Sequence, residues 1–274
     1  MLAQRAVSVV VLAPLVLFIV YLGGWWYLGL VALASLVGNH ELYALLRRAG
    51  YKPIWPFGFA LSLAFLLDAG LSPVFSGQIQ TGLYTSPVLA FSLILSLAYL
   101  VIRNDMGINL ADWAMTWVPP LYVGFIAAFW VYLRSLPEGS NWVYFAMGIS
   151  WATDIAAYAA GMLFGKRRFF PRISPRKTVE GAVGGIAAGT LLGGILAWFF
   201  GWDLSRLLVM AVIGSIAAEV GDLAESLIKR QLRAKDASRL IPGHGGLLDR
   251  LDSLLFVGVV VYFGATWAGV GVWR

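Results

Sequence analysis

Apolar runs long enough to cross a bilayer recur along almost all of this 274-residue chain. A helix spanning about 30 Å of hydrocarbon needs about 20 residues at about 1.5 Å each, and inside lipid a helix is the structure that satisfies its own backbone polar groups. Nine stretches meet or approach that length: residues 5–22, 25–46, 53–68, 86–102, 110–134, 142–164, 179–200, 204–228 and 251–272. The third and fourth are short or interrupted. The fifth carries Pro119 and Pro120, which predict a kink or a split. After the first run, Gly23 and Gly24 lead straight into Trp25, Trp26 and more apolar sequence, with no small-residue cleavage site, so it reads as a retained first span. Composition agrees, with 60% hydrophobic and 12% charged residues. The expected fold class is all-α: a polytopic integral membrane protein of about nine transmembrane helices.

Orientation follows from placing the lysines and arginines of short loops on the cytoplasmic side. With nine spans and a cytoplasmic N-terminus, Arg5, Arg47, Arg48, Lys52, Arg103 and the clusters within 166–177 and 229–250 all fall inside. Only Arg134, Arg206 and Arg274 fall outside. The longest outer loop, about residues 69–85, has neither Lys nor Arg. No long linker or low-complexity tract divides the chain, so residues 1–274 read as one membrane domain. Its helices 1–140 carry little charge, and residues 141–274 carry the candidate active site. Residues 1–274 contain no cysteine, which removes disulfides, thiolate nucleophiles and Cys-ligated metals. The net charge of +6 fits basic loops facing anionic lipid. Nucleic acid is not an expected partner, because there is no soluble domain in which to build a groove.

Two segments, 154–180 and 219–252, hold more than half of all charged residues. In the eighth span Glu219, Asp222, Glu225 and Ser226 recur at three- or four-residue intervals and share one helix face. Counting back from Lys229 at the inner end, Glu219 sits about 15 Å deep and Asp222 about 10 Å. A carboxylate in hydrocarbon costs about 2.5 to 3.5 kcal/mol on insertion scales, so each calls for a cation, a proton or a wet cavity. Asp154 lies mid-span in the sixth helix, with Tyr158 one turn on, and is a candidate for the same cavity. The plainer alternative is that these acids pair with arginines of neighbouring helices and fix packing. For His40, Glu41 and Asp112 that structural reading is preferred.

After the eighth span come Lys229, Arg230, Arg233, Lys235, Asp236 and Arg239, then Pro242-Gly243-His244-Gly245-Gly246, then Asp249-Arg250-Leu251-Asp252. A turn with three glycines lets backbone N–H groups approach a ligand closely, and the flanking cations suit phosphate oxygens. Asp249 and Asp252 share a face at the start of the ninth span and offer hard oxygen ligands suited to Mg²⁺ or Mn²⁺. Acid helix, basic stretch, glycine-rich turn and acid helix in that order point to metal-assisted phosphoryl or nucleotidyl transfer. Between the sixth and seventh spans lie Lys166, Arg167, Arg168 and Arg172, then Ser174-Pro175-Arg176-Lys177-Thr178-Val179-Glu180-Gly181. Ser174 before Pro175 suits an N-cap and a first helical position, giving a second expected phosphate site at a helix N-terminus. In the seventh span Gly181, Gly185, Gly189 and Gly193 form a small-residue ridge, read as architecture.

The run Ser226, Lys229-Arg230, Lys235-Asp236, Pro242-Gly243-His244-Gly245-Gly246 and Asp249-Arg250-Leu251-Asp252 resembles, without departure, the signature of the bacterial phosphatidate cytidylyltransferases. Gly221-Asp222-Leu223, the stretch around Ser174 and Thr178, and Asp154 are also similar to that family. The resemblance is confined to the C-terminal half. It implies a polytopic, homodimeric enzyme of the cytoplasmic inner membrane, its active site facing the cytoplasm. Phosphatidate would attack the α-phosphorus of CTP, giving CDP-diacylglycerol and pyrophosphate. Asp222 and Asp249 would be metal ligands, with Asp252, Glu219 and Asp154 serving a second, monovalent cation or the outer shell. Lys229, Arg230, Lys235 and Arg250 would hold the triphosphate. Arg176 and Lys177, with Ser174, Ser226, Gly245 and Gly246, would bind CTP or lipid phosphate, and His244 would donate to a phosphate oxygen. A cytidylyltransferase for another lipid phosphate, a lipid hydrolase or kinase, and a secondary transporter stay open as alternatives.

Overall fold

A computed structural model describes residues 2–76, 85–103, 109–238 and 245–267, with side chains from residue 12 in the first helix and to residue 71 in the third. Among these residues the chain forms nine helical rods, one for each expected span. They are α1 (Leu2–Leu22), α2 (Gly24–Arg48), α3 (Trp55–Ser76), α4 (Thr85–Arg103), a broken rod, α7 (Gly139–Phe164), α8 (Val179–Phe199), α9 (Leu204–Gln231) and α10 (Leu248–Trp267). The broken rod is α5 (Leu110–Pro119), a π-helical stretch (Pro120–Phe125) and α6 (Ile126–Ser135). By length and composition, five rods can cross a membrane as they stand: α2, α4, the broken rod, α8 and α9. The third span, expected to end near 68, continues to Ser76.

The residues after α7 depart from the expectation. Ser174 and Pro175 do not begin a helix. They open a strand, β2 (Ser174–Thr178), that pairs antiparallel with β1 (Arg168–Phe170), Arg168 opposite Thr178 and Phe170 opposite Ser174. The N-cap of α8 is Thr178, whose extended backbone lets its Oγ1 accept from Gly181 N at 3.1 Å. The Glu180 side chain accepts from Lys166 N and Arg167 N at 3.0 and 3.1 Å, closing the ribbon onto the helix start. The cap thus falls four residues past the expected Ser174, because pairing with β1 keeps residues 174–178 extended.

The chain forms two compact units, Met1–Ser135 with Leu232–Leu248, and Leu136–Gln231 with Asp249–Arg274. In the first, α2 and α3 pack on each other and on the broken rod around Leu42, Tyr43, Leu46, Phe65 and Leu133, all fully buried. The break has a local cause. Pro120 has no N–H, so it cannot bond the carbonyl of Thr116 four residues earlier. Tyr43 takes its place, donating its O–H to Thr116 O at 2.6 Å. Gly58 makes room, because a Cβ there would collide with the Tyr43 hydroxyl. The segment leading into α3 is stitched to α5 by Lys52 N to Asp112 Oδ1 at 2.7 Å and Ile54 N to Thr116 Oγ1 at 2.8 Å. Asp112 also forms a capping box with Asn109, which makes it structural as expected.

In the second unit the glycine ridge of α8 packs against both α7 and α9. A Cβ on Gly181 or Gly185 would lie 2.8 Å from the Ala157 or Thr153 carbonyl oxygen of α7, so these helices meet at the backbone. Further along, Gly189 faces Thr153 and Ser215, and Gly193 faces Ala211 of α9. Gly221 of α9 does the same for α10, with its missing Cβ against the backbone oxygen of Asp252. Small residues thus bring the acid-bearing faces of α7, α9 and α10 close together.

Candidate active site

The second unit gathers most of the site residues expected from sequence. Along α9, Glu219 and Glu225 are 5% and 1% exposed, and Lys229 is 9% exposed. Among the described residues neither acid pairs with an arginine. Lys177, carried in by β2, places Nζ 2.6 Å from Glu219 Oε2 and 3.0 Å from Asp222 Oδ2. Lys229 bridges Glu225, one turn back on the same helix, and Asp249 Oδ1 of α10 at 2.6 Å. The result is two knots, each one ammonium between two carboxylates. Burial lowers the basicity of Lys177, but the charges of Asp222 and Glu219 outweigh it and hold its pKa above the ordinary lysine value.

Asp154 and Asp252 flank the first knot. Asp154 Oδ1 accepts from Ser253 Oγ at 3.0 Å, and Asp252 Oδ1 accepts from the Ser253 backbone N–H at 2.8 Å. Asp154, Asp222 and Asp252 lie within electrostatic range of one another. Ser226 donates to Asp222 Oδ1 at 3.3 Å. Sequence reading passed over Ser253. Nothing in the chain pattern couples position 253 to position 154, and only the approach of α10 to α7 does so. Arg230 is exposed and donates its Nε to Ile173 O at 3.2 Å, tying the end of α9 to the ribbon. Ser174 is half-buried, while Arg176 and Arg250 are exposed.

The other expected residues lie in the first unit or beyond the described chain. Lys235 is exposed in the segment after α9, and His244 falls outside the described residues. Gly245 has φ +81°, the left-handed region that favours glycine, and Gly246 is buried. Glu41 of α2, read from sequence as a structural pair, proves more specific. It is 2% exposed and accepts from Ser238 Oγ at 2.5 Å, Leu247 N at 3.0 Å and Leu248 N at 2.7 Å.

Whether these residues suit a divalent metal is testable from their chemistry. Six carboxylates, Asp154, Glu219, Asp222, Glu225, Asp249 and Asp252, are set against two bridging lysines. That balance of hard oxygen donors suits a cation. Among the described residues no three His, Asp or Glu side chains converge on one point. This is compatible with Mg²⁺, which is commonly held by one or two carboxylates together with substrate phosphates and waters.

Apolar rods long enough to span a bilayer, and acids of α7, α9 and α10 drawn together by close-packed helices, mark a membrane protein with a polar, acid-rich centre. Comparison with known proteins gives the family: residues 3–267 match the cytidylyltransferase family, and the chain belongs to it. The chain is similar, at 31% identity, to the phosphatidate cytidylyltransferase of a Synechocystis species, over 95% of each chain. It is 32% identical to that of Bacillus subtilis over 95% of this chain and 96% of the relative, and 31% identical to that of Staphylococcus haemolyticus over 92% and 95%. The protein is a multi-pass membrane protein.

Proposed function

We propose that this protein transfers CMP from CTP to phosphatidate, forming CDP-diacylglycerol and pyrophosphate. The observation that carries this reading is the near full-length similarity to phosphatidate cytidylyltransferases. It is supported by the pairing of signature residues Lys229 and Asp249 at 2.6 Å. In the reaction an oxygen of the lipid phosphate bonds to the α-phosphorus of CTP as the bond from that phosphorus to the β-phosphate bridging oxygen breaks, and pyrophosphate leaves. The lipid phosphate is already anionic near neutral pH, so the protein's task is to neutralise charge and hold the groups in line rather than to remove a proton.

Mg²⁺ or Mn²⁺ would be held by Asp222 and Asp249, with Asp252, Glu219 and Asp154 available to a second, monovalent cation or to the outer shell. Such an ion supplies Lewis-acid stabilisation of phosphoryl oxygens. Lys229, Arg230, Lys235 and Arg250 hold the triphosphate, with His244 donating to a phosphate oxygen. Ser174, Arg176, Lys177, Ser226, Gly245 and Gly246 bind CTP or the lipid phosphate. The active site faces the cytoplasm from the cytoplasmic inner membrane, the N-terminus is cytoplasmic, and the enzyme works as a homodimer. All 274 residues serve as one catalytic domain.

The test is pyrophosphate release from CTP by the purified protein in detergent with Mg²⁺, with and without phosphatidate. Release that depends on phosphatidate and falls at least about 10²-fold in Asp249→Asn, the scale of losing one electrostatic stabiliser, is expected. A folded preparation that releases no pyrophosphate with phosphatidate but does so with another lipid phosphate overturns the substrate assignment.

A further inference from the structure

Glu41 lies far from the signature in sequence, yet its carboxylate binds both ends of the segment that contains the glycine-rich turn. Ser238 donates its hydroxyl from one end, and the backbone N–H groups of Leu247 and Leu248 donate from the other. Leu248 opens α10, and the first N–H groups of a helix have no partner within it. A buried carboxylate there satisfies two of them and is favoured by the helix dipole. The fit is tight. A Cβ on Gly246 would lie 2.7 to 2.9 Å from the Glu41 carboxyl atoms, so a glycine at 246 is what lets the carboxylate reach these N–H groups. Asp249 follows Leu248 directly in sequence. For packing alone, an apolar residue at position 41 would avoid the cost of burying a charge. Three convergent donors indicate that the carboxylate fixes Ser238 on one side and the backbone at Leu247 and Leu248 on the other.

We infer that Glu41 is a positioning residue for nucleotide transfer: by clamping Ser238, Leu247 and Leu248 it sets the backbone from Gly245 to Leu248, where α10 begins. This rests on the cytidylyltransfer reading above. The experiment measures steady-state pyrophosphate release, with CTP and phosphatidate varied separately, for wild type, Glu41→Gln and Ser238→Ala, each with a thermal unfolding curve in detergent.

Glu41→Gln keeps the shape but sets an NH₂ group against N–H donors. It is expected to lower kcat/KM for CTP about 10²-fold, the scale of a misplacement of about 1 Å, with KM for phosphatidate unchanged. Ser238→Ala removes one of the three bonds and is expected to shift the same constant about tenfold. Should Glu41→Gln not fold, Ser238→Ala carries the test alone. Wild-type constants in a folded variant overturn the inference. So does a loss of activity that only tracks the loss of folded protein. A wild type that releases no pyrophosphate from CTP and phosphatidate instead overturns the activity reading, and the Glu41 inference falls with it.

Discussion

The two units hold their most deeply buried acids in different ways. In the first, Asp112 accepts from backbone N–H groups, Asp68 from the hydroxyls of Thr85 and Tyr132 at 2.5 and 2.9 Å, and Glu41 from a hydroxyl and two N–H groups. In the second, buried Glu219 and Glu225 are paired with lysine ammonium groups that also reach the half-buried Asp222 and Asp249, while Asp154 and Asp252, beside them, accept from Ser253. A carboxyl group held by backbone N–H and hydroxyl donors fixes the groups that donate to it in place. A carboxylate held by a flexible lysine is matched in charge but free to exchange partners when a phosphate or a cation arrives. The first arrangement suits a scaffold and the second suits chemistry.

Substitutions that remove one kind of partner break or sharpen this contrast. The largest effect is expected from Lys229→Met, which leaves Glu225 and Asp249 without their shared cation. Pyrophosphate release should fall by at least about 10²-fold, and unfolding should come at lower temperature in detergent. Loss of activity with no change in unfolding would mean that Lys229 does not neutralise those acids. Next comes Lys177→Met, expected to cost up to about 3 kcal/mol, the low end for breaking a buried pair, since the lysine side chain is 19% exposed. Lys177→Arg should recover most of the stability but less of the activity, because the guanidinium fork does not fit a point between two carboxylates.

Gly189→Val tests the architecture of the second unit. It drives a side chain into Thr153 and Ser215 and should destabilise by about 1 to 3 kcal/mol. The smallest change is expected from Tyr43→Phe in the first unit, which strands the Thr116 carbonyl for about 1 to 2 kcal/mol. Pyrophosphate release per folded molecule should be unchanged. A drop in specific activity there would erase the distinction between scaffold and chemistry.

Much of this was legible in the sequence because its causes are local. Span length sets the number of rods, Pro119 and Pro120 set the break, and a four-residue glycine repeat sets the close packing of α8. The spacing of Glu219, Asp222 and Glu225 marks one helix face. What the sequence did not disclose depends on partners distant along the chain. Ser174 has the local pattern of a cap, and only the pairing of β1 with β2 moves the helix start to Thr178. Lys177 reads from sequence as a phosphate ligand, and only the fold shows that β2 also delivers it between Glu219 and Asp222. Glu41 has no local pattern at all, because its partners lie 197 to 207 residues away.

That last separation bears on how the protein is made. The first unit consists of residues up to Ser135 and a strap, Leu232–Leu248, that the ribosome delivers only after α9. At about 5 to 20 residues per second, Glu41 waits on the order of ten to forty seconds between its own synthesis and the arrival of Leu247, 206 positions later. During that interval the early helices hold a carboxyl group whose intended partners do not yet exist. The amino-terminal half cannot reach its finished form ahead of the carboxy-terminal half, so a nascent chain halted after α9 would leave even its first helices incompletely assembled.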